Sequence, residues 1–237
     1  MVSNWQNKLT TRHEFANATS FLEVGPGRTE TSAQILTGYP NLQATFIDFD
    51  IIPILEVMKA RKLDNRCRFL QANLASTGLA SAQFQVIFLK EMLRQLGPRD
   101  DPDWARELTR LLAPGGTVFV AETVGLPENE DQKRFIDLTS FEVSIDRSLG
   151  NIDLPMLDQQ QAASIFDNTV AHFVEKEVLL DSITLTKQEI DTWTSSIKKK
   201  LTTLMGGNPK DSKFKLDGFE GLPLERPRKM LFVFKNR

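Results

Sequence analysis

Apolar positions along the chain gather in short runs, each closed by a polar or glycine-rich step. The first is Phe21 to Val24, followed at once by Gly25-Pro26-Gly27. Leu42 to Asp48, Cys67 to Asn73, Phe84 to Leu89 and Thr117 to Thr123 repeat the pattern. Runs of this length, rich in Phe, Val and Ile, predict buried strands. Between them the spacing predicts helices, over Glu30 to Leu36 and over Trp104 to Leu112, the latter stopped by Ala113-Pro114-Gly115-Gly116. A strand followed each time by a helix implies a sheet that is parallel at its centre.

The second half is less regular. A helix is expected from Gln132 to Asp146 and a connector from Leu149 to Pro155. Asp158 is placed to cap a helix running to about Asn168. The stretch from His172 to Thr184 alternates as a strand does, and Thr186-Lys187-Gln188-Glu189 has the form of a capping box opening a helix to Leu204. A loop rich in Gly, Pro and Lys spans Asn208 to Arg228, and Lys229 to Lys235 reads as a closing strand.

Composition narrows the function classes. The 237 residues suffice for one full α/β core, and hydrophobic and charged fractions of 41% and 25% are ordinary for a globular chain. A net charge of −2 argues against a general binder of nucleic acid or membrane surfaces. No apolar stretch nears the roughly 20 residues of a membrane span, and the start MVSNWQ lacks a basic-then-apolar leader, so a cytoplasmic protein is expected. From Lys187 onward, basic residues outnumber acidic ones 12 to 6, which reads as a solvated face and loop, with a patch for an acidic partner as the alternative. The single cysteine, Cys67, rules out an intramolecular disulfide and is expected to be a buried, inert thiol. With His13 and His172 it forms no metal-ligand spacing, so no metal is expected.

The chemistry concentrates at strand ends. Glycines in the turn after Val24 permit unusual backbone angles and let a ligand approach the main chain. Asp48 follows at about the 20-residue spacing at which a strand-end carboxylate grips ribose hydroxyls. Thr29 stands where a dinucleotide site has its third glycine, which weakens a nicotinamide dehydrogenase reading.

The ordered set Glu23-x-Gly25-x-Gly27, Asp48, Asn73 and Leu111-Leu112-Ala113-Pro114-Gly115-Gly116 resembles the class I S-adenosylmethionine-dependent methyltransferases over roughly residues 15 to 125. The resemblance implies a three-layer α-β-α sandwich: a doubly wound, seven-stranded, mostly parallel sheet whose antiparallel last strand inserts beside the fifth. It implies one domain over 1–237, with a helical cap in 1–20 and substrate-side insertions in 126–155 and 206–228. It implies S-adenosylmethionine as cofactor, S-adenosylhomocysteine as product and a small-molecule acceptor, with secondary metabolites as a candidate class. Carried over residue by residue, Glu23 attracts the ligand ammonium while Gly25 and Gly27 pass beneath its amino acid part. Asp48 accepts from both ribose hydroxyls, and Asn73 and the Leu74 N–H contact the adenine. Leu89 and Lys90 end the fourth strand beneath the methionine part. Phe49 either packs on the adenine or is buried in the core, and Asp50 is expected to cap the next helix.

The acceptor side departs from the family. Arg94-Gln95 stands where many small-molecule relatives carry a histidine pair, and Gln85 replaces the common aspartate that starts the fourth strand. No catalytic base carries over, which leaves Glu91, Arg94 and His172 as weak candidates, His172 more naturally structural. Lys90 near a sulfonium is unfavourable unless it points away or pairs with Glu91. A cofactor-binding protein with lost or changed chemistry is the alternative function, and a ligand-free scaffold using the basic tail a third.

Overall fold

The computed structural model describes residues 4–28, 30–96, 103–151, 154–167, 169–204, 216, 219 and 221–236. Thr29, Asn168 and most of the 206–228 segment lie outside them, and the helix expected to run to about Asn168 already ends at Ser164, with Ile165 as its C-cap. Nine strands are described: β1 Ser20–Val24, β2 Gln43–Asp48, β3 Cys67–Gln71, β4 Phe84–Lys90, β5 Leu112–Thr123, β6 Ala171–Leu180, β7 Ile183–Thr184, β8 Glu225–Arg226 and β9 Lys229–Asn236. The described helices are α1 Asn4–Thr10, α2 His13–Ala16, α3 Thr31–Gly38, α4 Ile52–Ala60, α5 Asp103–Leu111, α6 Glu130–Ser148, α7 Gln159–Ser164 and α8 Lys187–Leu204.

Seven strands form one sheet in the order β3-β2-β1-β4-β5-β9-β6. Strands β1 to β5 are parallel, and β9 runs antiparallel between β5 and β6, as the resemblance implied. The alternation of β9 explains this position: Leu231 and Val233 belong to one face's core, Met230, Phe232 and Phe234 to the other's. A strand apolar on both faces is stable only inside the sheet.

Helices α1 to α4 supply Leu9, Phe15, Ile35, Ile54 and Met58 to one face, and α5 with Phe166 after α7 covers the other. Each such fully buried apolar side chain contributes roughly 1.5–3 kcal/mol. The N-terminal helices lie on the sheet: Lys8 Nζ donates to Val178 O of β6 (2.9 Å), and Phe15 packs on Phe21, Tyr39 and Phe119. A third, smaller core joins α6 to α8 through Leu138, Ile145, Ile190, Ile197 and Leu201, together with Leu216 and Leu224. Residues 126–155 are thus mostly one helix of this unit. Asn129 caps α6, and Glu225 of β8 accepts from Asn129 Nδ2 (3.0 Å) and Gln132 Nε2 (2.9 Å), pinning the helix start to the β7–β8 ribbon.

Two strands differ from expectation. β5 begins at Leu112 rather than Thr117, because the Pro-Gly-Gly step is taken as an irregularity within the strand: Phe84 pairs with Leu112 and Val86 with Thr117. A Cβ on Gly116 would meet Ala113 O at 2.8 Å, so only glycine fits there. The expected strand from His172 to Thr184 divides into β6 and β7, the latter turning away to pair with β8. Both capping boxes form, Asp158 with Gln161 and Thr186 with Glu189.

Candidate functional site

Strand order reverses between β1 and β4, which is where an open α/β sheet leaves a crevice beyond its carboxyl ends. A cleft of about 650 Å³ lies there. Gly25, Pro26 and Gly27 after β1, Asp48 and Phe49 after β2, Asn73 and Leu74 after β3, and Lys90 and Glu91 after β4 all line it. Most of the residues singled out from the sequence therefore meet in one cavity.

Gly25 and Gly27 both have positive φ, +63° and +54°. Gly25 N donates to Ile47 O (2.8 Å), holding the turn against β2. A Cβ on Gly25 would sit 2.0 Å from Met92 Sδ, whereas one on Gly27 would meet nothing within 4 Å. Asp48 accepts from Gly27 N at 3.4 Å and from Asp50 N at 3.2 Å, long bonds that leave its oxygens with acceptor capacity. Asp50 in turn accepts from Ile52 N (3.0 Å) at the start of α4, the capping role expected of it. Phe49 is 72% exposed, which removes the core alternative: its ring lies on the cleft wall. Asn73 Oδ1 accepts from Ala75 N (2.9 Å), capping a short 3₁₀ turn and keeping one lone pair.

Glu23 and Leu89 lie behind the wall rather than on it. Leu89 is fully buried in the sheet core, so its side chain cannot reach the cleft. Glu23 is 1% exposed; the Ser32 hydroxyl donates to its Oε2, and among the described residues Oε1 has no partner. Burial pushes its pKa up to about 7, partly opposed by Ser32 and the charge of Lys90 and assisted by Asp48. Burial likewise lowers the Lys90 pKa, opposed first by the charge of Glu23.

Glu91 acts on Lys90 by its charge, which opposes the lowering of the Lys90 pKa by burial. It also forms an ion pair with Lys229 at the start of β9 and accepts from Thr123 Oγ1 (2.8 Å). Glu91 itself has φ +52°, a left-handed conformation uncommon outside glycine, with its N–H donated to Ala121 O (2.9 Å). Burial pushes the Glu91 pKa upward, but the charge of Lys229 and hydrogen bonds from Lys229, Glu122 and Thr123 outweigh it and hold it below the usual range. Glu122 is pushed the other way, well upward, by burial and then by the charge of Glu91. Glu91 is therefore the ionised member and Glu122 the protonated one. Glu122 Oε2 accepts from Leu93 N (3.2 Å).

The other two catalytic candidates stand apart. Arg94 turns away from the cleft, its Nε donating to Leu154 O (3.1 Å). His172 is the second residue of β6 and pairs with Lys235, whose other neighbour Thr117 stands before the apolar run of β5, at the end of the sheet opposite the cleft. Sequence reasoning missed Met92, Gln95, Leu96, Asp103 and Trp104, which complete the cleft. Trp104 is 5% exposed and its indole N–H has no acceptor, a signal only burial reveals. Gln85 accepts from Thr19 N (2.7 Å) and Thr19 Oγ1 (3.1 Å), so it ties β4 to the entry of β1 far from the cleft. Cys67 is half-buried, its Sγ donating to Leu63 O (3.2 Å), and burial pushes its pKa up to about 11, as suits an inert thiol. Among the described residues no helix is long and apolar enough to cross a membrane.

The site fits a ligand with an ammonium, a ribose and an aromatic base. Glu23 Oε1 is a buried acceptor lacking a donor among the described residues, Asp48 offers a carboxylate to a diol, and Phe49 and Trp104 offer ring surface.

Residues 21–116 match the family described as "Methyltransferase domain". No curated protein shows significant sequence similarity to the chain. Among solved structures, the YcgJ protein of Bacillus subtilis aligns over 98% of this chain and 97% of its own, at 12% identity and a TM-score of 0.65. The [4+2]-cyclase SpnF aligns over 98% of this chain and 79% of its own, at 13% identity and a TM-score of 0.62. Geranyl diphosphate C-methyltransferase of Streptomyces coelicolor, solved with S-adenosyl-L-homocysteine, aligns over 92% of this chain and 70% of its own, at 10% identity and a TM-score of 0.57. These are likenesses of fold. Residues 21–116 thus match a methyltransferase domain, and the described residues take the seven-stranded fold of these methyltransferase-like structures.

Proposed function

We propose that the protein transfers a methyl group from S-adenosylmethionine to a small-molecule acceptor. When bound, S-adenosylmethionine supplies an electrophilic methyl group on a sulfonium. The chain's own residues bind and orient. Glu23, behind the cleft wall, attracts the ammonium through a bridging water, and Asp48 accepts from the ribose hydroxyls. Asn73, the Leu74 N–H and Phe49 hold the base, and Gly25 and Gly27 keep the turn free of side chains. Lys90 borders the cleft with its charge opposed by that of Glu23, which moderates its repulsion of a sulfonium.

The observation that carries this reading is the convergence of four strand ends on one cleft backed by a buried carboxyl oxygen with no donor among the described residues. Methyl transfer rests largely on alignment of nucleophile and methyl group, so a site without histidine is compatible with it. That one fold neighbour is a geranyl diphosphate methyltransferase supports a small-molecule acceptor. The test is calorimetric titration with S-adenosylmethionine and S-adenosylhomocysteine, followed by detection of S-adenosylhomocysteine release across an acceptor library. No binding at millimolar ligand would overturn the reading.

A second reading, retention of the cofactor with changed chemistry, is favoured by one contact. The Met92 thioether lies against Gly25, above the turn at the end of β1. A fold neighbour named for a cyclisation supports it too. Tight binding with no S-adenosylhomocysteine release from any acceptor would select this reading.

A further inference from the structure

A second cavity, of about 560 Å³, lies between α6 and α8 at the same edge of the sheet. It shares a wall with the first: Met92, Gln95 and Leu96 face the cofactor cleft, while Arg94 of the same loop faces the second cavity. Arg226 of β8 enters from the other side, on the segment that leads to Lys229 and hence to Glu91. The loop that follows β4 thus contributes residues to both cavities.

The charges of this second cavity are unevenly satisfied. Its two carboxylates are occupied. Glu142 accepts from Trp193 Nε1 (2.8 Å) and Lys200 Nζ (2.7 Å), and Glu189 accepts from Thr186 N (2.8 Å) and Thr186 Oγ1 (2.7 Å) in the box that opens α8. Its two guanidinium groups are not. Arg94 uses only Nε, on Leu154 O, and among the described residues its Nη atoms meet no carboxylate. Arg226 feels the charge of Glu189 but makes no ion pair with it; its Cζ lies 5.9 Å from the Phe135 ring centroid. Phe135 and Trp193 form a tilted pair, centroids 5.1 Å apart. Among the described residues neither guanidinium forms an ion pair with a carboxylate, so both keep forked donors that match the acceptor geometry of a bound oxyanion.

We infer that this cavity is the acceptor subsite and that it selects a small aromatic carboxylate, held at its anionic end by Arg94 and Arg226 and on its flat body by Phe135 and Trp193. The volume lies in the range of small-molecule sites. This inference rests on the methyltransferase reading for the word acceptor; the anion site itself rests on the cavity alone.

The test uses 4-hydroxybenzoate and its neutral isostere 4-hydroxybenzamide as probes, titrated calorimetrically into the full chain with and without S-adenosylhomocysteine. The acid is expected to bind and the amide to bind at least about tenfold more weakly, the loss of one charge-assisted contact. Arg94→Gln and Arg226→Gln should each weaken acid binding about tenfold or more, with Arg94→Lys between the two, while the affinity for S-adenosylhomocysteine stays the same. Equal binding of acid and amide, undiminished acid binding in the double Gln variant, or no acid binding at roughly 10 mM would each overturn the inference. The wild-type comparison of acid with amide stands even if a variant fails to fold, which melting curves report. Acid binding without any S-adenosylhomocysteine binding would instead overturn the methyltransferase reading and leave the anion site in place.

Discussion

Ser32 donates its hydroxyl to one carboxylate oxygen of Glu23 and leaves the other without a donor among the described residues. Both residues are buried, so the end of β1 and the first turn of α3 are locked together around a group prepared for one more partner. The Glu23 pKa of about 7 lies above its ordinary 4.5, chiefly through burial. The folded protein therefore keeps a proton that the unfolded chain releases, and stability falls as pH rises from about 4.5 to about 7, by roughly 3 kcal/mol if this group acts alone. A cofactor ammonium favours the ionised form. Binding is then expected to release a proton and to tighten as pH rises toward 7. Glu23→Gln should flatten both profiles and weaken S-adenosylhomocysteine binding by about tenfold to a hundredfold, the worth of a charged hydrogen bond. Calorimetry at pH 6 and pH 8, in buffers of different ionisation enthalpy, measures both. Pronounced pH dependence persisting in the Gln variant would refute the assignment.

Asp48 holds its loop by two long hydrogen bonds only, so its replacement should cost little fold. Asp48→Ala is expected to shift unfolding by less than about 1 kcal/mol. It should weaken S-adenosylhomocysteine binding by at least about tenfold, with Asp48→Asn intermediate because the amide keeps one acceptor oxygen. Urea melts and titration of the same preparations separate the two effects. A binding loss matched by an equal stability loss would make Asp48 a structural residue.

Gly25 combines a positive φ with the Met92 thioether directly above it. Gly25→Ala should destabilise the protein by roughly 1–2 kcal/mol from backbone conformation alone, plus the displacement of Met92. Adding Met92→Ala should recover only the second part. Comparing the denaturation midpoints of the single and double variants tests this; full recovery in the double variant would mean that the left-handed conformation carries no cost.

Much of this architecture is legible in the sequence, because it is local. The apolar runs at Phe21, Phe84 and Thr117 mark strands, and the Asp158 and Thr186 boxes mark helix starts that form as spaced. Gly25 and Asp48 stand at strand ends that topology brings to one crevice. What was not legible depends on pairings between distant segments. Lys229 reaches Glu91 only because β9 inserts beside β5 and sets Lys229 opposite Thr123. Phe49 could be read as core or wall until α4, capped by Asp50, left its ring outside. His172 looked available until β6 proved to begin at the far edge of the sheet.

The Glu91, Glu122 and Lys229 cluster gives the last prediction. Lys229 keeps Glu91 ionised, while Glu122 is held protonated by burial and by Glu91. Glu122 is raised above its unfolded value, so its contribution to stability is lost as pH climbs above the ordinary carboxylate range, where the unfolded chain ionises and the folded one resists. Glu122→Gln places a neutral amide where a neutral carboxyl already sits, able to accept from Leu93 N and donate to Glu91. It should leave stability at pH 4 within about 1 kcal/mol of the parent and raise it at pH 8. Lys229→Met removes the counter-charge and leaves Glu91 beside a protonated acid alone, which should cost about 2–4 kcal/mol at pH 8. Urea unfolding of both variants at the two pH values checks the pair. If Glu122→Gln proves the more damaging substitution at pH 8, the proton sits on Glu91 and the roles of the two acids are reversed.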